Sequence, residues 1–169
     1  MTNIIFIHGL ESSGQGFKAK FLRKIFPEIL TPDFKPYTPE LSYQALLSER
    51  MTQLESILEV KNSWILIGSS FGGLMGALYT CKYPEKVLHL ILLAPALSSP
   101  ELNPNKFNPI NVPVTIYHGK NDSVVPLKLT RKRAEILFLN LEYHVADDDH
   151  MLHHTVQNID WLSLVQSHL

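Results

Sequence analysis

The chain has 169 residues, 45% of them apolar and 18% charged, with a formal net charge of −1 at pH 7. A domain of this length buries roughly 70% of its unfolded surface, so a full hydrophobic core is within reach. The near-neutral balance argues against nucleic acid as a partner, and the single cysteine, Cys81, excludes an intrachain disulfide and fits a reducing compartment.

The N-terminal MTNIIFIHG has no basic start and too short an apolar run for a signal peptide or a membrane span, so the reading is a cytoplasmic protein without a membrane partner. Short apolar runs then alternate with stretches of helical period, the pattern of strand, crossover helix, strand. The spacing predicts a strand at Asn3 to Ile7, a basic helix over Phe17 to Phe26 and a short strand over Glu28 to Thr31, followed by the proline-spaced loop TPDFKPYTPE. Between Leu41 and Val60, the residues Leu47, Met51, Leu54 and Leu58 recur on one helical face, which belongs against a sheet. Trp64 to Ile67 and Val87 to Leu93 lack polar alternation, as expected of parallel strands covered on both faces. Between them Gly72 to Tyr83 reads as a helix closed by Pro84. Val112 to Tyr117 reads as a strand, Leu127 to Leu137 as a helix, Leu141 to Val145 as the last strand and Thr155 to His168 as a closing helix. Nothing divides the chain, so residues 1–169 are expected to form one α/β domain, a three-layer α/β/α arrangement around a mostly parallel, doubly wound sheet of about six strands.

One boundary carries chemistry. Gly68, Ser70 and Gly72 match G-x-S-x-G between a buried strand and a helix, the context that a nucleophile elbow demands. A turn this sharp forces the central residue to positive φ, tolerable only where its flanks carry no bulk. The bend lifts the Ser70 hydroxyl off the sheet at a helix N-terminus, where the Phe71 amide favours negative charge on a neighbouring oxygen. A phosphate-binding loop is the competing reading of a Gly/Ser run, but no lysine follows the glycines as a P-loop needs and the spacing is not G-x-G-x-x-G.

A serine hydroxyl needs an imidazole to take its proton and a carboxylate to hold that imidazole. After the penultimate strand comes HGKNDSVVP with Asp122, and after the last comes DDDHML with His150, each just past a strand's carboxyl edge. Open α/β sheets form their crevice at that edge, and the order Ser, Asp, His is the one expected there. HGLESSG after the first strand offers the Leu10 amide as a second oxyanion donor, with Gly9 allowing close approach.

With GSSFGG, HGKNDSVVP, DDDH and HGLESS together, the chain resembles the α/β-hydrolase superfamily over nearly its whole length, and is most similar to the small, single-domain YqiA-like bacterial esterases. The resemblance implies a minimal α/β-hydrolase fold with Ser70 as nucleophile, His150 as general base and acid, Asp122 as orienting acid, and the Leu10 and Phe71 amides as oxyanion hole. It implies no cofactor and no metal. Larger members have two further strands at the start and a helical cap where this chain has only the Pro-, Asn- and Ser-rich stretch between Ala94 and Val112, so an open cleft is expected. The implied activity is hydrolysis of a small-molecule carboxylic ester or thioester through an acyl-enzyme. Lactone opening, carbon–carbon bond hydrolysis and a non-catalytic binding module on the same fold are the alternatives.

Other residues have competing readings. His8 ends a buried strand beside Gly9 and reads as shaping the oxyanion loop rather than as catalytic. In DDDHMLHH, which also holds Asp147, Asp148 and His153, His150 and His154 have the i, i+4 spacing of a metal pair, but Met151 stands where a zincin has Glu. Asp149 adjoins His150, and adjacent side chains point apart, so Asp122 is the better acid. KLTRKR, from Lys128 to Arg133, reads as a solvated helix face before an anion-steering one. Cys81 reads as packing. Ser12 and Ser13 either touch substrate or bond their own turn.

Overall fold

The computed structural model describes residues 3–167. Its uninterrupted apolar runs become strands because helices cover both faces of the sheet. Strands β1 (Asn3–Ile7), β2 (Trp64–Ser69), β3 (Val87–Leu93), β4 (Ile110–Gly119) and β5 (Phe138–Ala146) lie side by side in chain order and are all parallel. Six helices accompany them among the described residues: α1 (Phe17–Ile25), α2 (Tyr43–Glu59), α3 (Phe71–Lys82), α4 (Leu127–Leu137), α5 (His153–Asn158) and α6 (Trp161–Gln166).

Alternation along the strands sorts the core into two. Ile5, Ile7, Trp64, Leu66, Leu90, Leu92, Val114 and Ile116 face one way and pack with α2, α3 and α4. Phe6, Ile65, Ile67, Ile91 and Leu93 face the other way and pack with α1, α5 and α6. The face foreseen on α2 is buried at Leu47, Leu54 and Leu58 and half-buried at Met51, but Leu46 and the charged Arg50 share it fully. Ser42 caps this helix, its hydroxyl accepting the Ala45 amide at 3.2 Å.

Three expectations change. The strand foreseen over Glu28 to Thr31 is a single bridge, with Leu30 paired to Ile5. The Phe6 amide donates to Leu30 and the Leu30 amide to Ile4, but Pro27 and Pro32 on either side lack N–H groups to extend the ladder. The closing helix from Thr155 divides into α5 and α6, and its foreseen end at His168 lies outside the described residues. Asp160 begins the second piece by accepting the Ser163 amide, and the Trp161 indole N–H donates back to the Val156 carbonyl at 2.8 Å. The last strand begins at Phe138, directly after α4, rather than at Leu141.

Leu30 joins β1 on the edge away from β2, so the chain leaves β1 in one direction and returns through α2 to the other. That reversal makes the carboxyl ends of β1 and β2 the natural place for a crevice. Among the described residues no helix is long and apolar enough to cross a membrane.

The N-terminus of α3 presses onto the end of β1, where a methyl on Gly72 would overlap the carbonyl oxygens of Ile7 and His8. Gly9 differs from what its motif suggests, because a methyl there would meet Ser69 O and Ser70 Cβ at 3.5 and 3.6 Å, ordinary contact distances. Gly72→Ala is therefore expected to cost about 3 kcal/mol or more in urea unfolding, and Gly9→Ala less than about 1 kcal/mol. Equal losses would contradict this packing account.

Candidate active site

Ser70 follows β2 directly, with φ 53° and ψ −114°. Its amide donates to the Leu93 carbonyl at 3.0 Å, and its own carbonyl accepts the Leu74 and Ala96 amides at 3.1 and 3.0 Å. Every glycine with a described backbone keeps ordinary φ, whereas Ser63, Ser70, Ala94 and Leu152 are positive. Gly68 is thus present for space, since a Cβ on it would lie 2.6 Å from the Gly72 carbonyl oxygen.

The three side chains expected from distant segments meet here. The Ser70 hydroxyl lies 3.1 Å from His150 Nε2, and His150 Nδ1 lies 2.8 Å from Asp122 Oδ2. The carboxylate can only accept, so Nδ1–H donates to Asp122 and Nε2 is left to accept the serine proton. The Asp122 side chain is fully buried and that of His150 is 17% exposed. Oδ1 of Asp122 accepts the Val124 and Val125 amides, both at 2.8 Å. Burial alone would raise this carboxyl, but hydrogen bonds from the Val125 amide, the His150 ring and the Val124 amide outweigh it and hold it below the usual range.

A second histidine, unnoticed in the sequence, shares that carboxylate. His118 Nε2 lies 3.1 Å from Asp122 Oδ2 and 3.2 Å from the Val125 carbonyl, so it carries the proton. His118 Nδ1 then accepts the Tyr143 hydroxyl at 2.7 Å. Burial lowers the His118 pKa despite Asp122, and burial raises that of Tyr143, so both are neutral. The available signal was a histidine at the end of a buried strand, one helical turn's worth of sequence before the acid.

The aspartates before His150 shape its loop. Asp147 pairs with Lys120 at 2.9 Å. Asp148 Oδ2 accepts the Thr155 amide and hydroxyl at 2.9 and 2.7 Å, and Asp149 Oδ1 accepts the Met151 amide at 2.9 Å. His153 packs on Phe17 with ring centroids 4.4 Å apart. His154 lines a separate depression of about 360 Å³ with Tyr117, His144 and Asp160. Among the described residues no group of three or more His, Cys, Asp or Glu side chains is placed to hold a metal ion.

At the end of β1, His8 is buried with Nδ1 2.8 Å from the Gly9 carbonyl, while Nε2 accepts the Phe34 amide at 3.0 Å. Its proton is therefore on Nδ1, and burial lowers its pKa. Arg50, also missed in the sequence, reaches the same loop from α2 and donates to the Gly9, Leu10 and Lys35 carbonyls. Among the described residues the Leu10 and Phe71 amides have no acceptor. Ser13 Oγ accepts the Gln15 amide at 3.1 Å, bonding its own turn.

Ser70, Leu10 and Phe71 border one cleft of about 420 Å³, with Ala96, Val124 and Val125 as apolar wall and Tyr43, Ser98 and Ser99 as hydroxyl-bearing wall. Between β3 and β4 the described chain forms two single 3₁₀ turns, Pro100–Leu102 and Pro104–Lys106, in place of a helical cap. Arg133 holds that segment, the two N–H groups of one guanidinium nitrogen being shared among the Leu97, Ser99 and Leu102 carbonyls at 3.0, 2.8 and 2.7 Å. Within KLTRKR, then, Arg133 is an anchor, and Arg131 pairs with Glu135 at 2.9 Å. Cys81 is half-buried against the core, which pushes its thiol up to about 12.

A hydroxyl on a strained strand-to-helix turn, facing an imidazole and a carboxylate at the carboxyl edge of a parallel sheet, is the architecture of an α/β hydrolase. A family model described as the alpha/beta hydrolase fold matches residues 2–106, and the chain belongs to that family. No curated protein matches it in sequence. Among solved structures, an alpha/beta-superfamily protein from Xanthomonas campestris pv. campestris superposes with a TM-score of 0.83 at 24% identity, covering 99% of each chain. A monoacylglycerol lipase from Paleococcus ferrophilus gives 0.76 at 16% identity, covering 99% of this chain and 96% of that one. An esterase from Pyrococcus furiosus gives 0.70 at 20% identity, covering 99% and 82%. At these identities the likeness is one of fold.

The buried neutral histidines set an acid limit. Below the ordinary value of 6.5 the unfolded chain takes up protons that folded His8 and His118 resist, so the unfolded state binds more protons and stability falls with falling pH. The depressed carboxyl of Asp122 adds its loss only lower, as pH drops from 3.8 through its folded value. The urea midpoint is expected to fall between about pH 7 and about pH 5. A midpoint constant over that interval would show that these rings protonate freely in place.

Proposed function

We propose that the protein is a serine hydrolase that cleaves small-molecule carboxylic esters or thioesters in the cytoplasm through an acyl-enzyme intermediate. The observation that carries the reading is the continuous chain Ser70 Oγ, His150 Nε2, His150 Nδ1, Asp122 Oδ2, with separations of 3.1 and 2.8 Å. The lipase and esterase among its structural neighbours support the same chemistry, as does the resemblance to YqiA-like esterases.

In this reading the substrate carbonyl lies over Ser70 with its oxygen toward the Leu10 and Phe71 amides. His150 Nε2 takes the serine proton as Oγ attacks, and the resulting imidazolium is stabilised by Asp122. The negative oxygen of the tetrahedral intermediate is held by the two amides, neither of which must first release a protein acceptor. His150 then protonates the leaving alcohol or thiol, and a water deprotonated by the same nitrogen releases the acid and restores Ser70.

A fluorophosphonate probe is expected to label the protein at Ser70, and p-nitrophenyl esters graded by chain length are expected to turn over. Ser70→Ala should abolish labelling and lower kcat on the order of a million-fold, and Asp122→Asn should lower it about ten-thousand-fold. Folded wild-type protein that neither labels nor hydrolyses any ester of the series would favour a binding module.

A further inference from the structure

We propose that Arg50 is a positioning residue for the oxyanion site, holding the Gly9–Leu10 peptide so that the Leu10 N–H faces the cleft. The inference rests on the hydrolase reading above and adds a residue from outside the cleft to it.

Arg50 is fully buried on α2, the most expensive kind of side chain to bury. Among the described residues it has no carboxylate partner. Its donors go to main-chain carbonyls: Nε to Lys35 at 2.8 Å, one terminal nitrogen to Gly9 at 3.2 Å and the other to Leu10 at 2.8 Å. A planar fork spread over three carbonyls is something a lysine ammonium cannot reproduce.

The consequence follows from peptide geometry. In a trans peptide the carbonyl of one residue and the N–H of the next point in opposite directions. The Gly9 carbonyl is turned toward Arg50 and His8 Nδ1, so the Leu10 N–H is turned away from them. That amide has no acceptor among the described residues, and Leu10 borders the same cleft as Ser70. Holding the Leu10 carbonyl as well fixes the next peptide plane, so the loop cannot rotate about Leu10 without breaking two bonds to one guanidinium. The guanidinium carbon also stands 5.2 Å from the centre of the Phe71 ring, the residue that carries the other free amide. One buried cation thus touches both residues whose amides would hold the oxyanion, and its charge has the sign that favours one.

The test compares wild type with Arg50→Met and Arg50→Lys, the second keeping the charge and most of the stem should the first fail to fold. With p-nitrophenyl butyrate, kcat is expected to fall about 100-fold to 1,000-fold in both while KM stays within about threefold, as for loss of an oxyanion donor. Phenylboronic acid, whose adduct with Ser70 puts an oxygen where the oxyanion forms, is expected to lose affinity in parallel, and in a third variant, Arg50→Ala, which leaves room for the free ion, added guanidinium should partly restore kcat. A folded Arg50 variant with kcat within threefold of wild type, or with kcat lost but boronate affinity intact, would overturn the proposal while leaving the function standing. Wild type without Ser70-dependent ester hydrolysis would overturn the function itself, and this role with it.

Discussion

Ser70 sits at φ 53°, a conformation that costs a non-glycine residue about 1–3 kcal/mol, and the rest of the site is arranged around keeping it there. Three main-chain hydrogen bonds hold it, two of them to the segment just past β3 or its last residue. The register that sets Ser69 opposite Leu93 is therefore also what sets the Ser70 backbone. The glycines around the turn contribute absence of volume: Gly68 lets the helix fold back over the strand, and Gly72 lets it rest on the end of β1. A strain at one residue is thus distributed over three strands and a helix, which is why a local-looking pentapeptide depends on the whole sheet.

The acid shows how environment divides like groups into unlike roles. Asp122 Oδ2 faces two histidines at 2.8 and 3.1 Å, and the chemistry of their contacts is similar. Their surroundings differ, because His150 meets the Ser70 hydroxyl and keeps 17% of its side chain exposed while His118 is fully buried and backed by Tyr143. A ring shut away from solvent, as His118 is, stays neutral and serves to orient the carboxylate.

Two arginines hold the loops that form the cleft walls. Arg50 ties down the segment after β1, and Arg133 ties down the turns after β3, each through main-chain carbonyls instead of carboxylates. Loops bury few apolar side chains and have no ladder of their own, so carbonyls that point inward need donors from a neighbouring helix. Guanidinium supplies several from one position. In a small domain whose cleft has no cap over it, such fastening substitutes for the packing that a larger structure would provide.

Much of this was legible in the residues themselves. The apolar runs of β1, β2 and β3, the period of α2 and the G-x-S-x-G turn are readable because their causes act between residues close in the chain: pleat, helical repeat and steric collision. The meeting of Ser70, Asp122 and His150 was legible as a consequence of where their strands end. Arg50, His118 and Arg133 were not, since a polar side chain is buried only where distant segments offer it partners, and α2 reads equally well with Arg50 turned to solvent. The reduction of Glu28 to Thr31 to one bridge and the break before Trp161 likewise depended on neighbours. The sequence by itself determined the order of elements and the chemistry available at the strand ends; the tertiary structure alone decided which carbonyls and carboxylates found donors, because hydrogen bonds between remote segments leave no period in the chain.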